Sequence, residues 1–152
     1  MNVAQLFFSF TGRINRAKYW LGILIYIIIG LVMASLGYAA DQTAAFQLLS
    51  IIVNIGLFIS GLALGAKRLH DRDKSGWWLL LFYIVPSALF GIGAVMFLYG
   101  IGAEAAGGVL TGIVIYVLGF AVLVWAIIEL GCLRGTIGPN RFGADPLAEG
   151  AR

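Results

Sequence analysis

The chain has 152 residues, 61% hydrophobic and 11% charged, with a formal net charge of +3. Soluble domains run at about 45–50% apolar and about 25% charged residues, so this composition excludes an ordinary water-exposed surface and points to a bilayer as the main solvent. The basic residues alternate with hydrophobic runs and build no basic face, which argues against a nucleic-acid-binding module. One cysteine, Cys132, and one histidine exclude an intrachain disulfide and an ordinary four-ligand structural zinc site.

The chain begins with a polar and aromatic stretch in which Phe7, Phe8 and Phe10 suit a membrane interface and Asn15 suits the cap of a following helix. Four apolar runs follow, about Tyr19–Ala40, Ala44–Ala66, Trp77–Ile101 and Val109–Leu133. Each is long enough for a hydrocarbon core of about 30 Å and is apolar all round. The expected fold is therefore an all-α membrane protein, a single integral domain of four transmembrane helices arranged as two hairpins. The first run, at about twenty-two residues, is longer than a signal-peptide core of about 7–15, so an uncleaved span is expected. Tyr19 and Trp20 open the first span, and Trp77 and Trp78 open the third, as aromatic anchors at headgroup level.

Within the second span, Gly61 and Gly65 form a G-x-x-x-G, and Asn54 lies on roughly the same face, where an interhelical hydrogen bond is expected. Pro86 removes a backbone donor in the third span and should kink it. Glu129 is the one acid within a span, roughly 7 Å along the helix from Arg134. An ionised carboxylate there needs a partner, and Arg68, His70 and Arg134 are the candidates.

Between the second and third spans lies Lys67–Trp78, KRLHDRDKSGWW, six charges and the histidine in twelve residues. Asp73, Ser75 and Gly76 suit a tight turn, with Ser75 capping the third helix. His70 beside Asp71 has no nucleophile near it, and structural hydrogen bonding is its expected role. After the fourth span, RGTIGPNRFGADP has the composition of a structured turn. Gly135 is expected to end the fourth helix, Pro139 and Pro146 bar a helix, and Gly138 and Gly143 permit unusual backbone angles.

All ten Lys and Arg fall before the first span, between the second and third, or after the fourth. The other two connections carry only Asp41 and Glu104. By the positive-inside rule both termini and the central loop are expected in the cytoplasm, which brings the three polar blocks to one face of the membrane.

FTGRINRAKYW, KRLHDRDKSGWW and RGTIGPNRFGADP, in this order and spacing, resemble the three signature blocks of the bacterial family called domain of unknown function 805, and the resemblance covers nearly the whole chain. Arg13, Arg16 and Trp20 match the first block. Arg68, Leu69, His70, Asp71, Ser75, Gly76 and Trp77 match the second, and Gly135, Thr136, Gly138, Asn140, Gly143, Asp145 and Pro146 the third. The resemblance implies a small four-helix inner-membrane protein with no assigned reaction.

The leading expectation is a non-enzymatic integral inner-membrane protein whose cytoplasmic cap binds an anionic headgroup, a small ligand or a protein partner. The candidate cluster is Arg13, Arg16, Trp20, Arg68, His70, Asp71, Ser75, Gly76, Trp77, Glu129, Thr136 and Asn140. Arg13, Arg16 and Arg68 would either clamp phosphate or carboxylate or pair with Asp71, Asp73, Asp145 and Glu129 to hold the cap together. A small oligomeric transporter or channel would instead use Glu129, Asn54 and Pro86. An intramembrane enzyme would use His70, Asp71 and Glu129, but no cofactor, metal or nucleophile motif accompanies them. The expected partners are the lipid bilayer, an anionic lipid or membrane protein, and a second copy of the chain.

Overall fold

The computed structural model describes residues 2–40 and 43–148. Asp41 and Arg152, to which the charge argument assigns an outer loop and the inner tail, lie outside the described residues. The elements are a short helix α1 (Val3–Phe8), then α2 (Arg16–Ala39), α3 (Ala44–Asp71), α4 (Trp78–Gly102) and α5 (Ala106–Ile127), the last continued by a π-helical turn, Ile128–Cys132. No strand occurs among the described residues. At 1.5 Å per residue, the 24 residues of α2 and the 28 of α3 reach roughly 36 and 42 Å, so each can cross a bilayer, as can α4 and α5 with its π-turn.

The first three helices start where a side chain satisfies one of their first amides. Asn2 caps α1 by accepting from Gln5 N at 2.8 Å, and the Gln5 side chain returns a bond to Asn2 N, a reciprocal box. Asn15 caps α2 as expected, accepting from Lys18 N at 3.0 Å, and Thr43 caps α3. Ser75 does not mark the start of α4. Trp77 holds the cap position, with no side-chain cap bond.

Several polar side chains inside the spans turn back on their own helices, because hydrocarbon supplies no partner in its place. Ser35, Ser87 and Thr111 each donate to the carbonyl four residues back. Asn54 does the same, donating to Ser50 O at 2.7 Å from an exposed position, so the interhelical bond expected for it is not made. α4 runs unbroken through Pro86.

The chain forms two compact units, Met1–Gly76 with Arg134–Arg152, and Trp77–Leu133. In the first, α2 and α3 meet where the Tyr26 and Ser60 hydroxyls share a 2.6 Å hydrogen bond and where Gly22 abuts Leu64. In the second, α4 and α5 run antiparallel at glycine-to-backbone distance. A Cβ on Gly108 would stand 2.8 Å from the Cα of Gly100, and one on Gly112 would stand 2.7 Å from Phe97 N. Gly108-Val-Leu-Thr-Gly112 is thus the G-x-x-x-G that lets two backbones approach in this pair, and sequence reading passed over it in favour of Gly61 and Gly65. The same unit carries an edge-on cluster in which Trp125 meets Phe82 at 5.4 Å and Trp78 at 6.0 Å.

Candidate functional site

The polar blocks that belong to the first unit meet at the end of α3. The helix does not stop at Ala66 but runs on to Asp71, so Lys67, Arg68 and Asp71 lie on its last turns, and all three are buried. Burying such groups is costly unless each is paired and hydrogen-bonded.

Asp71 is the hub. Its Oδ1 accepts from Arg13 Nη2 at 3.0 Å and Nε at 3.1 Å, and its Oδ2 accepts from Arg68 Nη1. Its backbone carbonyl accepts from Thr136 N at 2.8 Å and from the Thr136 hydroxyl at 3.2 Å. Two guanidinium groups thus share one carboxylate away from water.

Arg13 also ties down the C-terminal segment. Nη1 donates to Gly138 O at 2.7 Å and to Gly143 O at 3.2 Å, and Nη2 donates to Thr136 O at 2.7 Å. The planar fork of arginine is what permits one side chain to hold a carboxylate and three carbonyls at once. Gly138 and Gly143 have φ values of 76° and 135°, which turn their carbonyls toward it in conformations that L side chains rarely adopt. With its donors engaged in this way, Arg13 clasps three segments of the chain together.

Around this clasp the remaining polar groups close. Asn140 Nδ2 donates to His70 O at 2.9 Å and to the Thr136 hydroxyl at 3.0 Å, while its Oδ1 accepts from Phe142 N at 2.9 Å. His70 donates from Nδ1 to Gly12 O at 3.2 Å and stacks face to face on Phe142, 3.9 Å between ring centres. The hydrogen bond expected for it is therefore made, and Phe142 is a partner with no signal in the sequence. Nearer the surface, Arg141 pairs with Asp73 at 3.1 Å, and Arg72 donates to Arg134 O at 2.7 Å. Among the described residues, no buried side-chain nitrogen or oxygen lacks a hydrogen-bond partner.

Gly135 does not end a helix. The fourth span ends in its π-turn, with Leu133 at the cap position. Gly135 is small because a Cβ there would collide with the Asp71 carboxylate. Lys67 is the other residue missed. Its charge suits a topogenic loop, yet it is fully buried and its Nζ donates to Gln5 O at 2.8 Å and to Leu6 O, gripping the carbonyl end of α1. Ile14 N reaches back to Lys67 O.

Beside the clasp lies a cavity of about 250 Å³ bounded by Arg16, Arg134, Thr136, Asp71, Asp145 and neighbouring apolar groups. Asp145 accepts from Leu147 N at 2.9 Å and Gly138 N at 3.0 Å, and these bonds, that from Leu147 foremost, hold its carboxyl below the ordinary value. Ser75 and Gly76 lie in the turn after α3, where Gly76 faces Ala66 and His70. Trp20 stands exposed on α2. Trp77 and Glu129 belong to the second unit, Trp77 as an exposed ring and Glu129 buried in the π-turn.

The family model described as "Protein of unknown function (DUF805)" matches residues 7–144, a range that includes each residue of the clasp. The chain belongs to the DUF805 family. Relatives within reach include the uncharacterized protein YiiR of Escherichia coli K12, 34% identical over 95% of this chain and 90% of YiiR. The inner membrane proteins YhaH and YhaI of the same organism are 30% and 29% identical, over 98% and 96% of this chain and 96% and 92% of their own lengths. No solved structure matches the chain. Four helices of spanning length and relatives of this kind make this DUF805 protein a multi-pass inner-membrane protein.

Proposed function

We propose that this protein is a non-enzymatic inner-membrane protein whose polar cap, facing the cytoplasm, binds an anionic lipid headgroup in the cavity beside the Arg13–Asp71 clasp. In this reading the four spans form one domain of two hairpins with both termini inside the cell. The positive-inside bias of the connections supports that orientation.

The observation that carries the ligand class is the presence of two guanidinium groups on the cavity wall, Arg16 and Arg134, beside the carboxylates of Asp71 and Asp145. Asp71 on that wall is held by Arg13 and Arg68, and Arg16 and Arg134 are the lining groups that would meet a phosphate. Basic pockets at the cytoplasmic ends of spanning helices suit anionic headgroups.

Native mass spectrometry of the protein in mild detergent, offered either phosphatidylglycerol or phosphatidylethanolamine, tests this. Retained adducts of the anionic lipid, lost in Arg16→Gln and Arg134→Gln, are expected. Equal retention of both lipids, unaffected by either substitution, would remove the headgroup reading.

A further inference from the structure

A second cavity, of about 330 Å³, lies in the first unit between α1, α2 and α3. Phe7 and Phe8 of α1 stand at one end, and Ile25, Ile29, Val53 and Leu57 form its walls. The one polar pair on it, Tyr26 with Ser60, is already satisfied internally at 2.6 Å.

Its placement sets the solvent it sees. From Ser60 to Val53 is seven residues of α3, or about 10 Å along the axis, and Val53 lies about 27 Å from the helix end at Asp71. The groove therefore runs from the end covered by α1 toward the middle of a hydrocarbon core of about 30 Å, in the direction taken by the chains of one leaflet. An apolar cleft on spanning helices at that depth is reached by hydrocarbon and not by water.

The cleft is also built, because α1 does not rest on apolar contact alone. Lys67, fully buried on α3, donates to Gln5 O and Leu6 O and so fixes the short helix over the end of the groove. Phe7 packs against the Tyr26 ring at 6.1 Å. Gly56, on the lining, is open, with nothing within 4 Å of where a Cβ would stand, which leaves room that most other residues would fill.

We propose that this groove is a binding site for a single acyl chain of a phospholipid from the leaflet on the α1 side. α1 covers its outer end, and Gly56 leaves open space partway along it. The site is separate from the headgroup cavity, and neither proposal depends on the other.

The test uses the full chain in nanodiscs containing a phosphatidylethanolamine with a photoreactive diazirine in the middle of one acyl chain, followed by peptide mapping. Label concentrated on the peptides carrying Phe7, Phe8, Ile29 and Leu57, above that on exposed α5 residues such as Leu118 and Phe120, is expected. Gly56→Leu, whose side chain enters open space, should remove that concentration and leave the α5 label unchanged. Label spread evenly over all spanning faces in the parent protein would overturn the proposal without recourse to any variant. So would concentrated label that persists in a folded Gly56→Leu protein, or a groove blocked by a second copy, read as dimers formed on oxidation of Gly56→Cys in a Cys132→Ser background.

Discussion

Arg13 and Asp71 form a buried ion pair at 3.0 Å, 58 residues apart in the chain, with side chains 1% and 4% exposed. Arg68 completes a triad from one turn earlier on the same helix as Asp71. The pair joins the segment before the first span to the last turn of α3, and through the carbonyls of Thr136, Gly138 and Gly143 it joins both to the segment after the last span.

Removing the shared carboxylate should therefore do more harm than removing a surface charge. Asp71→Asn leaves two guanidinium groups buried with their charges uncompensated, a change that costs about 3–5 kcal/mol in comparable buried pairs. Earlier loss of monodisperse protein on heating in detergent is expected, measured by size-exclusion chromatography after a temperature series. Arg13→Met with Asp71→Asn should cost less than the two single changes added together, because the partners share one interaction. A melting point unchanged in Asp71→Asn would show that the pair contributes nothing.

Gly135→Ala is a one-methyl change with a specific target. The new Cβ would displace the Asp71 carboxylate, which Arg13 and Arg68 hold in place. A loss of about 1–3 kcal/mol is expected, the range for overpacking a closed site. Gly102→Ala, where open space surrounds the new methyl, is the control and should melt like the parent. Equal stability of the two variants would argue against the close approach.

Acid should loosen the C-terminal segment before it affects the spans. The carboxyl of Asp145 titrates below its ordinary value because Leu147 N and Gly138 N donate to the charged form. A group whose folded value is depressed contributes stability above its unfolded value, near 4, and loses that contribution as pH falls through the lower, folded value. Hydrogen exchange at the amides of Gly138 and Leu147 should accelerate over that acidic window, and Asp145→Asn should abolish the pH dependence. Exchange insensitive to pH over that window, after correction for intrinsic rates, would contradict the assignment.

Orientation can be read with an impermeant thiol reagent on intact cells. Cys132 is exposed and must first be replaced by serine. A cysteine at Glu104, in the turn after α4, should then react from outside, and one at Lys74 should react only after the membrane is opened. The opposite pattern would place the clasp on the outer face.

Much of the architecture was legible because hydrocarbon imposes a simple rule on sequence. The four runs appear as four helices, and Asn15, Gly138 and Gly143 act as their chemistry suggests. The differences at the end of α3 share one cause. Charge was read as the end of a helix, whereas it marks only the end of the apolar span. α3 continues through Lys67–Asp71 because those side chains find partners in other segments. The same reading puts Lys67 in a loop, whereas Gly135 reads as a helix stop from the backbone freedom of glycine.

By itself the sequence determined the solvent of this protein, the number of spans and their approximate limits, since these follow from uninterrupted apolar length and need no knowledge of neighbours. Only the tertiary structure decided that Arg13 is saturated by Asp71 and three carbonyls, that His70 stacks on Phe142, and that Gly135 makes room for a carboxylate. Pairing between buried charges depends on distances between segments that are remote in the chain, and no local pattern of residues encodes those distances.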